Sequence, residues 1–379
     1  MNDTRRIPVP KDGVGRFGRG PRAWLLRLAS SPRFQGFAAR NPLLARKARR
    51  EGEAIFDLIA GFVKSQVLFA LVDMDVLTRL SHGPCGAEEA APGLPAKNAR
   101  LLMDAACATG LVSKGRAGYR LTTRGAAFLA VPGGQALVRH HAIFYRDMTD
   151  PSALLRGEAA PELARFWPYV FGAGAAEDPD QARAYSDLMA DTQRLVADDT
   201  LRMVDLSGAL EVLDVGGGTG AFLTALGQAC HEPRLHLFDL PAVAPGAESR
   251  FRAAGLSQRA RITRGSFRDD PLPTGADVIT LVRVLYDHDD ETVRALLEKA
   301  RSALPKGGRI VISEPMTGGA QPHVPGDVYF AFYTLCMETG QARSQARIAE
   351  LLAGAGFERI ETPPARRAFV TSVVTAFRR

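Results

Sequence analysis

The residues best equipped for chemistry stand together in Leu281–Asp290, LVRVLYDHDD, where an arginine, a tyrosine, a histidine and three aspartates crowd the end of an apolar run. A metal site fits this cluster poorly. Asp287, His288, Asp289 and Asp290 are consecutive, so their side chains diverge, and no second histidine follows at helical spacing. We therefore expect no metal. A helix start suits the last two: Asp289 or Asp290 can cap ETVRALLEKA, with Glu291 favouring its N-terminal dipole. Acid/base work is left to Tyr286 and His288. An unperturbed imidazole, with a pKa of ~6.5, accepts a proton near neutrality, and a phenol at ~10 does not. His288 is thus chemically the easier base, though its place two residues on can aim it elsewhere. His140 and His141, in LVRHHAIFYRD, are further candidates.

Upstream, LDVGGGTGAF (Leu213–Phe222) joins an apolar run to a helical one. Glycines there let the backbone turn tightly and approach a ligand closely. The spacing of Gly216, Gly218 and Gly220 is not GxGxxG, since Ala221 and Phe222 follow, and no Lys-Ser/Thr makes it a phosphate loop. Asp239, ending the strand-like HLFDLP, is placed to accept both ribose hydroxyls of a nucleoside. Asp214, just before the glycines, suits a cationic cofactor without a pyrophosphate.

These residues need strand ends and loops to hold them, and the pattern supplies both. From about residue 210, EVLDVG, RLHLFDLP, ADVITLVRVLY and GRIVISEP read as strands that alternate with helices such as AFLTALGQAC and ETVRALLEKARSAL. Such alternation implies an open parallel sheet covered on both faces. The chain closes with a helix and two strands. Before residue 137, EGEAIFDLIAGFVKSQVLFALVDMDVLTRL has apolar positions at helical spacing with little polar relief, as expected of a helix buried in a core or against a partner subunit. PAKNARLLMDAACATG and the hairpin-like LVSKGRAGYRLT complete the order of a winged helix. Its recognition-helix candidate has only Lys97 and Arg100 as basic groups, too few phosphate contacts for strong DNA binding. We expect dimerisation, and no nucleic acid. Residues from about 137 to 206 read as mainly helical.

The 379 residues are enough for two or three domains. The four cysteines are scattered and form no disulfide framework, and no signal-peptide core is apparent, which reads as a reducing, cytoplasmic setting. Charge is uneven. Residues 1–50 hold 13 Lys or Arg against 2 Asp, a net +11 within a chain of +7, so the remainder is acidic. Trp24, Leu25, Leu26 and Leu28 lie among those arginines, a combination suited to an anionic membrane surface. The other reading is a solvated tail, disordered in its Gly- and Pro-rich early part.

LDVGGGTG, FDLP, GSF, LVRVLYDHDDE and VISEP follow in the order and spacing of the class I S-adenosylmethionine-dependent O-methyltransferases. Over about residues 50–379 the chain resembles the two-domain group that includes the plant caffeate-type enzymes. EGEAIFDLIAGFVKSQVL, PELARFWPYVFG, LMADTQRLVADDTLRMVDL, GSFRDDPLPTGADVITLVRVLYDHDD and GDVYFAFYT are similar to one bacterial branch, the hydroxyneurosporene (demethylspheroidene) O-methyltransferases of carotenoid synthesis. The resemblance implies an α/β, Rossmann-like methyltransferase domain with an N-terminal, mostly α winged-helix dimerisation domain. It also implies a homodimer and S-adenosyl-L-methionine as cofactor. The expected divisions are a basic arm (1–50), the winged helix (51–136), a helical region covering the substrate (137–206) and the cofactor domain (207–379).

Carried over by position, the cofactor site falls on Gly216 and Gly218 in the loop, and on Asp239 and Leu240 for ribose and adenine. Ser266 and Phe267 fall at the adenine edge, and Arg283 where the family usually has lysine. Tyr185 and Met189 are expected to cover the cofactor. Ser266 replaces the aspartate common in plant members, with Asp269 or Asp270 as candidates to compensate. Tyr286 stands at the position of the plant catalytic histidine. Of the two glutamates that hold that histidine, Glu314 is kept and the other aligns with Ala342. The expected mechanism is in-line methyl transfer aided by His288 or Tyr286, with Asp287 and Glu314 as orienters.

The expected substrate is a hydrophobic one, the tertiary hydroxyl of an acyclic hydroxycarotenoid. Phe166–Phe171, Phe144, Tyr145 and Asp327–Met337 would line its pocket or form core and dimer interface. The basic arm would touch the inner or photosynthetic membrane where such a substrate lives. A methyltransferase of phenolic or polyketide hydroxyls, a non-catalytic winged-helix regulator and an inactive cofactor-binding scaffold are the other readings.

Overall fold

A computed structural model describes residues 21–166 and 192–379. The chain divides into two compact units, one up to residue 70 and the other from residue 71.

In the first unit α1 (Pro21–Ser30), α2 (Pro32–Arg40) and all but the last three residues of α3 (Pro42–Asp73) follow one another, each opening on a proline. A proline at the first helical position costs nothing there, because its missing N–H would lack a partner anyway. Asn41 caps α3, its side-chain oxygen accepting from Leu43 N at 3.0 Å. α3 crosses position 50/51 without a break. Its apolar residues Ile55, Phe56, Leu58, Ile59, Phe62 and Val63 are all exposed. The burial expected in a core of its own chain is met only towards the end of the stretch, where Leu71, Val72, Val76, Leu77 and Leu80 are buried. By length and composition α3 would also pass as a membrane span.

The second unit opens with the end of α3, followed by α4 (Val76–Ser81), α5 (Ala87–Ala90) and α6 (Ala96–Ala108). The hairpin of β1 (Val112–Gly115) and β2 (Gly118–Leu121) pairs Val112 with Leu121 through Gly115 with Gly118, which is the wing expected from the sequence. Then come α7 (Thr123–Leu129), α8 (Gly134–Asp147), α9 (Pro151–Leu155) and α10 (Glu162–Phe166), and residues 192–203 form α11.

A seven-stranded sheet carries the rest: β3 (Glu211–Val215), β4 (Arg234–Asp239), β5 (Ala260–Arg264), β6 (Val278–Val282), β7 (Arg309–Glu314), β8 (Phe357–Glu361) and β9 (Ser372–Arg378). They stand in the order β5-β4-β3-β6-β7-β9-β8. The first five are parallel, and β9 runs antiparallel between β7 and β8. β3 and β6 are buried at all five positions. They are mostly apolar because helices cover both faces, with Glu211, Asp214 and Thr280 as buried polar exceptions. α12 (Ala221–Ala229), α13 (Ala244–Ala253), α14 (Asp290–Ala303) and α16 (Gln345–Gly354) supply that cover, while α15 (Ala331–Cys336), preceded by a π-helical turn over Val324–Phe330, packs in a separate cluster with α8, α9 and α10. Core clusters lie on either side of the sheet, one built on Leu213, Ile279 and Leu296, the other on Val212, Phe222 and Leu235. From β3 the strand order runs outward in both directions, so a crevice opens at the carboxyl ends of β3 and β6, the usual ligand position in such sheets.

Candidate functional site

The glycine loop leaves β3 at that crevice. Gly216, Gly218 and Gly220 all have positive φ, at 68°, 60° and 73°, a conformation open to glycine at no steric cost. Gly217 is fixed for another reason, since a Cβ there would lie 2.1 Å from Asp214 Oδ2. A Cβ on Gly218 would meet nothing within 4 Å, so space stands open beside the loop. Asp239, at the end of β4, accepts the Gly218 N–H on Oδ2 and the Leu240 N–H on Oδ1, both at 2.7 Å. Burial lifts its carboxyl to about 6 against the pull of those two donors. Beneath, burial raises Asp214 to about 7 although Thr280 donates to it at 2.6 Å, and its Oδ2 has no hydrogen-bond partner. Open backbone, a carboxylate over the next strand and an orphaned buried oxygen fit a nucleoside with a cationic tail.

The adenine-side residues follow β5. Ser266 N donates to Asp270 Oδ2 at 2.8 Å, which engages Asp270 in turning the loop. Lys299 on α14 holds that loop from below, donating to the carbonyls of Phe267 and Arg268 at 2.8 Å and Asp270 at 3.0 Å. Sequence reading missed Lys299 because nothing in a helical lysine announces three carbonyl partners. Arg283 follows β6 with a φ of 60°, uncommon for a residue with a side chain. Its Nη1 donates to Thr192 Oγ1 at 2.9 Å, bringing α11 to the crevice.

β6 stops at Val282, and Leu285–Asp287 form a 3-10 turn instead of continuing the strand. Tyr286 is buried, and its N–H donates to Glu314 Oε2 at 3.1 Å. Burial and then the Asp287 charge push its phenol above the usual range, against Arg283. The Asp287 carboxyl is pushed well up by burial, opposed by Arg283 and helped by Glu314. Glu314 rises to about 7 by burial, opposed by Arg343. Asp287 Oδ1 and Glu314 Oε1 are buried without a hydrogen-bond partner. The turn thus brings Tyr286, Asp287, Glu314 and Arg283 together.

It does not bring His288 with them. His288 is buried, with its ring edge-on to Phe267 at 5.3 Å and its Nδ1 3.0 Å from Arg268 Nη2. Arginine can only donate, so Nδ1 is the acceptor and Nε2 carries the proton. Burial, then Arg268, lowers its pKa to about 3. Asp289 caps α14, accepting Thr292 N at 2.8 Å, and Asp290 pairs with Arg343 at 2.7 Å and Arg347 at 2.6 Å.

The other two candidate histidines bond to phenols of the π-helical turn and α15. His140 Nε2 lies 2.8 Å from the Tyr333 hydroxyl, and His141 Nε2 lies 2.7 Å from that of Tyr329. Burial lowers both imidazoles to about 4. Tyr329 and Tyr333 stack at 6.0 Å with Phe144 edge-on to each. Tyr333 and Cys336 are core, with Tyr329 and Phe144 packed partly exposed against them. Tyr185, Met189 and residues 167–171 lie outside the described residues.

Residues 145–358 match the model of an O-methyltransferase domain, and residues 56–131 that of an O-methyltransferase dimerisation domain. The chain is 55% identical over 374 residues to the demethylspheroidene O-methyltransferase of Cereibacter sphaeroides, covering 98% of this chain and 97% of that protein. It is 52% identical to the demethylspheroidene O-methyltransferase of Rhodobacter capsulatus, covering 93% and 88%. Among solved structures, human N-acetylserotonin methyltransferase in complex with SAM superposes with a TM-score of 0.73 at 24% identity, over 86% of this chain and 97% of that one.

Proposed function

The chain belongs to the O-methyltransferase family, and from that premise we propose that it transfers the methyl group of S-adenosylmethionine to the tertiary hydroxyl of an acyclic hydroxycarotenoid of the demethylspheroidene type. The observation that carries the substrate is identity above one half, along nearly the whole of both chains, with a relative described by that substrate. Tyr286 stands where a base that ionises a phenol before attack would be needed, and an alcohol that loses its proton only after attack does not call for one. S-adenosylmethionine, when bound, supplies a methyl group already activated by its sulfonium. Gly216, Gly218, Asp239, Leu240, Ser266, Phe267 and Arg283 are the residues we assign to holding it.

The chain must seat the hydroxyl, exclude water and collect one proton. An aliphatic alcohol gives up its proton late, once its oxygen has begun to bond. Asp287, whose Oδ1 is buried without a hydrogen-bond partner and whose charged form Arg283 favours, is the group we assign to take it. Tyr286 stands beside it, and Glu314 orients the turn through the Tyr286 N–H. His288, with Nδ1 engaged by Arg268, is assigned to packing against Phe267. The test is transfer of labelled methyl by purified protein in detergent, with a hydroxyneurosporene-type carotenoid offered beside a phenolic acid. Label in the carotenoid alone is expected. Label in the phenol alone would sink the substrate assignment and keep the methyltransferase.

We also infer that α1 and α2 rest on an anionic bilayer. Between residues 21 and 50 every charged side chain is basic, and Trp24, Leu25, Leu26 and Phe37 are exposed among them. Each basic residue near such a surface adds about 1 kcal/mol. With Trp167→Phe as background, Trp24 fluorescence should shift blue on vesicles containing anionic lipid and not on neutral ones. Equal behaviour on both would remove the inference.

A further inference from the structure

Each backbone carbonyl from Leu285 to His288 is held by one short segment, Thr339–Arg343. Arg343 Nη1 donates to Leu285 O at 2.9 Å and Nη2 to His288 O at 2.8 Å. Gln341 N donates to Tyr286 O at 2.8 Å, and Thr339 Oγ1 to Asp287 O at 3.1 Å. Gly340 lies so close that a Cβ on it would be 2.8 Å from Tyr286 O. The Arg343 side chain has 0% exposure, and its remaining Nε–H meets Asp290 at 2.7 Å.

Burying a guanidinium costs several kcal/mol unless good geometry and further hydrogen bonds offset it. Packing alone does not require such an expense in a three-residue turn, and an apolar side chain would cover the turn more cheaply. What the guanidinium does there is fix peptide planes. With the carbonyls of 285–288 held on one side and the Tyr286 N–H held by Glu314 on the other, the backbone torsions of Tyr286 and Asp287 are restrained from both sides.

We propose that Thr339–Arg343 is a strap whose purpose is catalytic positioning, with Arg343 as its principal residue. It holds the turn so that Tyr286 and Asp287 meet the substrate hydroxyl. Arg343 touches no reacting atom and acts through the turn. The proposal rests on the function proposed above and extends it to a segment outside the cofactor motifs. Ala342, aligned with the glutamate that steadies the plant histidine, leaves its neighbour Arg343 as the only charged side chain of the strap. The steadying has passed from a side chain that grips a base to one that grips the backbone.

The test uses the full-length protein and three measurements: kcat for labelled methyl transfer, the dissociation constant for S-adenosylmethionine, and amide hydrogen exchange at residues 285–290. Arg343→Ala should lose about 100-fold in kcat, the scale of a 1 Å misplacement. Added guanidinium ion should restore part of it, and Arg343→Lys should not. Should Arg343→Ala fail to fold, Gly340→Ala and Thr339→Val carry the test, with losses on the order of 10-fold for the first and a few-fold for the second. In each, cofactor affinity should stay within about twofold while exchange at 285–290 quickens. Faster exchange with unchanged kcat would overturn the proposal, and so would cofactor affinity, melting temperature and kcat falling together. A wild-type protein that labels no acceptor would sink the proposed function and the strap's catalytic purpose with it. Labelled carotenoid with unaffected variants would sink the strap alone.

Discussion

Asp287 and Glu314 each keep one buried oxygen with no hydrogen-bond partner, and in a dry site that is a costly condition unless a ligand relieves it. Asp287→Asn preserves shape and removes the acceptor. It should lower kcat by about 100-fold or more while leaving cofactor affinity nearly unchanged in a titration. His288→Gln should do the reverse, weakening cofactor binding through Phe267 with a smaller change in kcat. Glu314 also predicts a pH effect on stability. Its folded pKa, about 7, is raised from 4.5, so between those values the folded protein binds more protons than the unfolded one. Its contribution is fully present below pH 4.5 and is lost as pH rises through about 7. Denaturation midpoints should fall less between pH 5.5 and 8 in Glu314→Gln than in wild type. The sequence made these residues legible as a cluster, because their types and adjacency are visible in LVRVLYDHDD. The His288 assignment was not legible. It depends on Arg268, twenty positions earlier, reaching Nδ1, and no spacing rule brings those two together.

Among the elements, those with strong periodicity were readable and those shaped by a neighbour were not. β3 and β6 announced themselves as apolar runs, and the hairpin of β1 and β2 by its turn. β5, reading ARITR, is a sheet edge with no fully buried residue, so it lacks the signal that marked the others. β6 ends at Val282 while its apolar pattern runs on to Tyr286. The break comes from the positive φ of Arg283, a constraint of the site and not of the pattern. The π-helical turn over Val324–Phe330 likewise leaves no mark in composition, yet it carries Tyr329 to His141. The helix cap was expected from sequence and is found at Asp289. Asp289→Ala should cost about 1 kcal/mol of stability, read as a shift in urea midpoint without a change in slope.

At the scale of the whole molecule, the exposed apolar residues of α3 depart most, among the described residues, from a self-sufficient fold. Ile59 and Phe62 are 63% and 72% exposed, within or beside the stretch matched by the dimerisation model. A second copy of the chain is the cover we assign to them. Phe62→Glu should give monomers in sedimentation at concentrations where the wild type is dimeric, and an unchanged mass would move the interface elsewhere. The sheet poses a different problem, one of timing. β9 pairs with β7 on one side and β8 on the other, so an interior strand of this sheet is also the last to be made. Until residue 378 has left the ribosome, β7, which carries the buried Ile310 and Ile312, presents an unpaired edge. The cofactor crevice is therefore spelled out early and made firm late. A nascent chain stalled between β8 and β9 would have nearly every binding residue and no finished sheet to hold them, and would expose an apolar strand edge of the kind that recruits other chains.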